Sequence, residues 1–113
     1  MDRKQWLYIT RPARAGMLTE GPTAAEQDSV SRHAAYHDEL GNKGIDIMVG
    51  RTQINTAETV GLCVFLAEDE ASARKIMESD PAVADGVMTA ELFPYRIAFG
   101  NADSFRTALE AAN

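Results

Sequence analysis

The chain has 113 residues and a formal charge of −6 at pH 7. Its length predicts one domain. The acidic balance argues against nucleic acid as a partner, because phosphates require a basic patch and the Lys and Arg residues are scattered. No apolar run has the length of a signal peptide or a transmembrane helix. A single cysteine, Cys63, cannot form an internal disulfide, and so we expect a cytoplasmic protein.

The first predicted strand covers residues 5–11, a short segment rich in aromatic and β-branched side chains. Proline and glycine then interrupt any regular pattern over residues 12–22. Long ordered loops often cover binding sites, and so this connection is a candidate cover for one.

A long amphipathic helix is predicted over residues 23–44. Thr23 and Glu26 have the spacing of a capping box, in which each side chain satisfies an otherwise free backbone N–H. The residues that recur at three- and four-residue steps, and so share one face, are Val30, His33, Tyr36, His37 and Leu40. A histidine in the middle of such a stripe is either a hydrogen-bonded structural residue or a functional group, and its partner decides between the two.

Two strands are predicted after this helix, over residues 45–53 and 57–67. The alternating apolar residues of the first are Ile45, Ile47 and Val49. The second strand is apolar on both faces. We therefore expect a second subunit to bury its outer face. Cys63 lies in this second strand, where a buried structural cysteine is commoner than a nucleophile.

A second helix is predicted over residues 68–79, with acidic residues at its start, as the helix dipole favours. It ends at Asp80 because Pro81 cannot continue a helix without losing a hydrogen bond and clashing with the preceding turn. We expect one short helical turn over residues 81–85.

The last strand is predicted over residues 87–99, and Pro94 within it indicates an edge position or a bulge. A tail with a short helix follows and is expected to dock Phe105 and Leu109 onto the rest of the chain. We therefore expect a main domain at residues 1–100 and a tail at residues 101–113.

The predicted order of elements is strand, helix, two strands, helix and strand. This order is the ferredoxin-like βαββαβ plan of the α+β class, with one antiparallel sheet and two helices on one face. We expect Trp6, Tyr8 and Phe65 on the open face of the sheet, where two sheets would pack face to face in a homodimer.

Several motifs along the chain match one known family. They are His33, Tyr36, Leu40 and Gly44 on the first helix, Val49-Gly50-Arg51, the run ARKIMESDP at residues 73–81, Val83, Gly86 and the strand ELFPYRIAF at residues 91–99. With them, the chain resembles the YCII-related family of the dimeric α/β-barrel superfamily over residues 8–99. The resemblance implies a subunit that dimerises through its sheet and a cleft that holds a His–Asp pair, here His33 and Asp80. The loop at residues 12–22 and His37 are additions to the family pattern.

Asp80 has two interpretations. Before Pro81, it fits the N-cap of the turn that follows. Turned inward, its carboxylate would accept a hydrogen bond from one imidazole nitrogen, fix the tautomer and leave the other nitrogen free to take a proton. The two roles are compatible, and a His33–Asp80 pair suits general acid/base catalysis.

Arg51, Tyr36 and His37 are the candidates for substrate binding. Arg51 would bind an anionic group bidentately, unless it is a solvated hairpin arginine. Tyr36 would donate a hydrogen bond in the cleft, or else pack against the sheet. His33 and His37 are four residues apart, as in some metal sites, but no third ligand is offered nearby and so we expect no metal. Phosphate-binding loops and dinucleotide fingerprints are absent from the sequence, and so we expect no cofactor.

Two functions stand as hypotheses. The first is a small cofactor-independent enzyme in which His33, held by Asp80, moves a proton on a small cyclic or anionic substrate. Some family relatives are linked to dehydrohalogenation of hydroxylated aromatics, and so the resemblance implies a lyase or dehydrochlorinase-like reaction. The second is a non-catalytic homodimer that binds a small molecule or assists an enzyme. A void beside the His33 ring would favour the enzyme.

Overall fold

A four-stranded antiparallel sheet forms the centre of the fold. The computed structural model describes residues 2–111, and its strands are β1 (Lys4–Pro12), β2 (Asp46–Arg51), β3 (Gly61–Ala67) and β4 (Met88–Pro94). Their order across the sheet is β2-β3-β1-β4, and all three neighbouring pairs are antiparallel. The predicted α+β, ferredoxin-like class is confirmed, and the last strand lies at an edge, as its proline indicates.

Two long helices cover one face of this sheet. The helices of the described residues are α1 (Gly16–Thr19), α2 (Ala24–Asn42), α3 (Glu70–Ser79), α4 (Pro81–Ala84) and α5 (Ala102–Ala111). The predicted capping box begins α2, because the Thr23 hydroxyl accepts from the Glu26 N–H at 3.1 Å and the Glu26 carboxylate accepts from the Thr23 N–H at 2.8 Å. Asp80 separates α3 from α4, as the sequence predicts.

The buried core lies between the sheet and α3. Trp6, Tyr8 and Phe65 belong to it, together with Ala73 and Met77 of α3. The prediction that these three aromatic residues occupy the open face is therefore wrong. Alternation along a strand determines which side chains share a face, but which of the two faces the helices cover depends on how the chain crosses over.

The open face of the sheet carries a different set of mostly apolar side chains. In the cross-strand register, Leu7 lies between Val64 and Phe93, and Ile9 lies between Leu62 and Glu91. Paired residues of neighbouring strands project to the same side, and so these side chains form one surface.

An irregularity in β2 changes the faces predicted for it. Asp46 pairs with Phe65 and Met48 pairs with Val64, so that Ile47 is one extra residue in the strand. Asp46 and Val49 therefore project toward the helices, whereas the predicted regular alternation placed Ile47 and Val49 on the same side. The extra residue is what turns the Asp46 carboxylate inward.

The ends of the last two strands differ from the prediction. β3 begins at Gly61 rather than at residue 57, and β4 ends at Pro94 rather than at residue 99, because proline has no N–H to continue the ladder. The predicted tail helix is present as α5, and its Phe105 and Leu109 are 41% and 57% exposed. Residues 112–113 of that tail lie outside the described residues.

Candidate functional site

His33 and Asp80 meet between α2 and the junction of α3 with α4. The Nδ1 atom of His33 lies 2.8 Å from both carboxylate oxygens of Asp80. A carboxylate only accepts, and so Nδ1 carries the proton of this hydrogen bond. The Nε2 atom of His33 has no hydrogen-bond partner within residues 2–111. The ring therefore presents a free nitrogen, and 18% of the side chain is exposed.

The carboxylate of Asp80 is fully buried and has several donors. Its Oδ1 atom accepts from the Ala82 N–H at 3.0 Å, which makes Asp80 the N-cap of α4, and its Oδ2 atom accepts from the Tyr8 hydroxyl at 2.8 Å. Burial opposes ionisation, but hydrogen bonds from His33, His37 and Tyr8 hold the pKa of Asp80 well below its ordinary value. Both interpretations of Asp80, as a cap and as a partner of His33, describe the same carboxylate.

His37 lies one helical turn after His33 and connects two carboxylates. Its Nε2 atom is 3.0 Å from Asp80 Oδ2, and its Nδ1 atom is 2.7 Å from Asp46 Oδ2. Burial lowers the pKa of His37, but the hydrogen bonds to Asp46 and Asp80 outweigh it and raise this pKa to about 11. Both ring nitrogens are thus occupied, which leaves neither of them for the substrate contact predicted from the sequence.

A cavity of about 690 Å³ adjoins this cluster. Tyr8, His33 and His37 of the cluster line it, and its apolar lining includes Val30 and Met88. A volume of this size is typical of small-molecule sites, which are mostly apolar with a few placed polar groups. The ring of His33 is therefore not enclosed by packing on all sides.

The segment at residues 12–22 forms another wall of this cavity. Met17 and Leu18 of α1 line it. Arg14 fixes the segment to α2 through two hydrogen bonds to the Glu26 carboxylate, at 2.9 and 2.7 Å. Arg14 and the capping-box contact with Thr23 hold the pKa of Glu26 at about 2. The loop predicted to cover a site does border the cavity, and the carboxylate that caps α2 also holds the loop.

The remaining predicted binding residues lie in different places. Arg51 is exposed and lines the cavity. Tyr36 does not line it, and its hydroxyl donates to the Ile76 carbonyl at 2.7 Å, which joins α2 to α3. The structure thus gives Tyr36 the packing role that the sequence left open as the alternative. Arg51 and His37 both line the cavity, and a role for either in substrate binding stays a prediction.

Tyr8 and Asp46 are the polar residues of the cluster that sequence reasoning missed. The sequence pattern identifies Tyr8 only as an aromatic residue of the first strand. Nothing in that pattern indicates that its hydroxyl contacts Asp80. Asp46 gives a weak signal, because a carboxylate inside an apolar strand needs a partner if it is buried. Cys63 is buried as predicted, and its Sγ atom lies 3.5 Å from Asp46 Oδ1. Burial raises the pKa of this thiol to about 11, which makes it a poor nucleophile.

Two groups of side chains bring possible metal ligands together, one made of His33, His37 and Asp80 and one of His37, Asp46 and Cys63. Ligand atoms 2.0–2.1 Å from a tetrahedral zinc ion lie about 3.3 Å apart. In this cluster the imidazole nitrogens lie 2.7 to 3.0 Å from the carboxylate oxygens, as hydrogen-bond partners do. The prediction that no third ligand lies near His33 and His37 is wrong, because the fold brings Asp80 beside both rings.

The fold and this cluster define a class of protein: a small ferredoxin-like α+β domain with a His–Asp pair at the end of a cavity beside its sheet. The sequence model of the YCII-related domain family matches residues 7–95, which is most of the chain. The chain belongs to the YCII-related family, and the resemblance seen in its sequence is confirmed. Within residues 2–111, no helix has the length and apolar content to cross a membrane.

Solved structures of low sequence identity share the fold. One is 5-chloro-2-hydroxyhydroquinone dehydrochlorinase (TftG) from Burkholderia phenoliruptrix in complex with 2,5-dihydroxybenzoquinone, with 20% identity, a TM-score of 0.59, and 80% of this chain and 93% of that chain covered. An uncharacterized protein from Thermotoga maritima has 7% identity and a TM-score of 0.53, with 84% and 100% covered. A point mutant of SnoaB, a cofactor-independent oxygenase from Streptomyces nogalater, has 13% identity and a TM-score of 0.50, with 88% and 98% covered. No curated protein matches the chain.

Proposed function

We propose that this protein is a small cofactor-independent enzyme that uses His33 and Asp80 for general acid/base chemistry. The observation that carries the proposal is the His33 ring, which donates Nδ1–H to a fully buried carboxylate at 2.8 Å and borders a cavity of about 690 Å³. A free imidazole nitrogen beside a ligand-sized space is the arrangement that proton transfer needs.

The proposed chemistry follows from the tautomer of His33. With Nδ1–H held by Asp80, the lone pair on Nε2 accepts a proton from a ligand hydroxyl or an acidic C–H. The imidazolium that forms is stabilised by the Asp80 carboxylate, which stays ionised throughout. The same proton can then return to the product or to water.

We propose a small cyclic or anionic substrate and a lyase reaction of the dehydrochlorinase type. The apolar walls suit a ring, and Arg51 at the cavity suits an anionic substituent. In a reaction of this kind, two O–H bonds and the C–Cl bond of a chlorinated hydroquinone break. One of the two protons forms a C–H bond at the carbon that loses chloride, and the other leaves as HCl. A quinone forms without an external oxidant or reductant, because the ring itself is oxidised at its oxygens and reduced at that carbon. The structural likeness to TftG, named as such a dehydrochlorinase, supports this choice of probe.

The test is to incubate the purified protein with 5-chloro-2-hydroxyhydroquinone, the compound in the name of that relative. Released chloride is measured against the reaction without protein, and binding of 2,5-dihydroxybenzoquinone is measured by calorimetry. Protein-dependent chloride release supports the proposal. If the protein neither binds nor turns over these probes, the proposed substrate class is contradicted.

The alternative function is a non-catalytic homodimeric module that binds a small molecule or assists an enzyme. The cavity favours ligand binding under either function. Binding of 2,5-dihydroxybenzoquinone without chloride release from the chlorinated probe would favour this alternative.

We also propose that two copies pair through the open face of the sheet. This face presents Leu7, Ile9 and the exposed Phe93, and Phe99 nearby is 96% exposed. Contiguous apolar surface of this kind is typical of protein interfaces. Light scattering is expected to give about twice the 12.3 kDa mass of the chain. Leu7→Lys is expected to give the monomer mass, while Ala35→Lys on the exposed side of α2 keeps the dimer. A monomeric wild-type protein would contradict the proposal.

We propose a cytoplasmic location on the basis of Cys63. Its thiol is free and buried, and thiols persist in a reducing compartment. Fractionation of the cells that make the protein would test this location.

A further inference from the structure

The two nitrogens of His37 face two different carboxylates. Asp46 Oδ2 lies 2.7 Å from Nδ1, and Asp80 Oδ2 lies 3.0 Å from Nε2. A neutral imidazole has one N–H, whereas an ionised carboxylate only accepts hydrogen bonds. With one N–H, one of these two contacts would place a lone pair against an oxygen anion in a buried site. Only the doubly protonated ring donates to both.

We propose that His37 is a positioning residue: an imidazolium that bridges Asp46 and Asp80 and thereby holds the Asp80 carboxylate in place for His33. The side chain of His37 is only 8% exposed, and those of Asp46 and Asp80 are 7% and 0% exposed. Two buried carboxylates on either side of one imidazole ring repel each other, and a cation between them offsets that repulsion. The proposal deepens the proposed function, since it rests on His33 and Asp80 acting as a pair.

Other groups that face His37 agree with a cation at this position. From β1, the Tyr8 hydroxyl lies 2.9 Å from Nε2 and donates its own proton to Asp80. From β3, the Cys63 thiol contacts Asp46, and burial raises its pKa, so that it stays neutral. The rings of His33 and Tyr36 flank His37 on α2, and both meet it edge to face. The two carboxylates are thus the only anions of the described cluster that touch His37.

A bridging cation has a consequence for His33. Part of the negative charge of Asp80 is balanced by His37, and so less of it is available to stabilise an imidazolium at His33.

The test uses nitrogen NMR of protein labelled at histidine, which needs no substrate. The chain has two histidines, and so a His37→Gln variant assigns both rings. In the wild-type protein, both nitrogens of His37 are expected to be protonated from about pH 6 to 9, because each donates to a carboxylate. A wild-type His37 with a single protonated nitrogen at pH 7 would overturn the proposal, whatever the variants do.

The second arm removes the outer carboxylate. Asp46→Asn takes one anion from His37 without touching the cavity. It is expected to lower the pH at which His37 gives up one of its two ring protons, because the hydrogen bond to Asp46 is the first favourable cause of its raised pKa. Asp38→Asn, the same change on the exposed side of α2, is the matched control and leaves that pH in place. The same deprotonation pH for His37 in the Asp46→Asn and Asp38→Asn variants would overturn the proposal.

The NMR outcome and the enzymatic outcome are separable. If the probes of the proposed function are not turned over, the protonation state of His37 can still be as proposed, and the bridge then positions a binding group. If chloride is released but His37 is singly protonated, the enzyme proposal stands and the positioning proposal fails.

Discussion

His33→Ala is expected to lower the rate of chloride release from the chlorinated hydroquinone by about 100- to 10,000-fold, the usual contribution of a well-placed general base. The fold is expected to survive, because the ring lies at the edge of the cavity and is partly exposed. The measurement is kcat for the wild-type and variant proteins, with circular dichroism to show that both are folded.

A second measurement on this variant is chemical rescue by imidazole. Alanine leaves a space beside the cavity, and added imidazole is expected to restore part of the rate in a concentration-dependent way. Asp38→Asn, on the exposed side of the same helix, leaves the rate unchanged. A folded His33→Ala protein with the wild-type rate would contradict the role of His33, and an unfolded one would show that this ring is structural.

Asp80→Asn is expected to lower the free energy of unfolding by about 3 to 5 kcal/mol, the usual result of breaking a buried charged pair from one side. The carboxylate is fully buried and receives hydrogen bonds from His33, His37 and Tyr8. An amide supplies one acceptor oxygen in place of two, and it leaves His37 without its second anion. Urea denaturation at pH 7 measures the difference.

The same substitution tests the pH dependence of stability. The pKa of Asp80 is held below its ordinary value in the folded protein, and so the unfolded chain binds a proton at this group before the folded one does. The stabilisation is therefore fully present above about pH 4, the ordinary pKa of an aspartate, and is lost as the pH falls toward the pKa in the folded state. The difference between wild-type and Asp80→Asn proteins should shrink below pH 4. A difference of the same size at pH 7 and pH 3 would contradict the assigned cause.

The sequence predicts the long helix and its central histidine well, because the signals are local. Thr23 and Glu26 determine where α2 begins, and Pro81 determines where α3 ends, through contacts between residues close in the chain. The stripe of apolar positions then places His33 and His37 on the side of α2 that faces the sheet. The meeting of His33 with Asp80, 47 residues later, came from the family resemblance.

The rest of the site depends on long-range packing that local patterns do not specify. Tyr8 meets Asp80 because β1 lies in the centre of the sheet under the helices, which strand alternation alone leaves undecided. Asp46 reaches His37 only because β2 contains one extra residue, and no proline or glycine marks that point in the sequence. Local reasoning therefore identified the helix residues of the cluster and missed its strand residues.

The structure of the protein in complex with 2,5-dihydroxybenzoquinone tests the central claim most directly. This claim is that His33, held by Asp80, acts on a ligand in the adjoining cavity. The account predicts a ligand oxygen within about 3.2 Å of His33 Nε2, with the contact between Nδ1 and Asp80 retained. A ligand bound elsewhere, or a His33 ring turned away from both the cavity and Asp80, would contradict it.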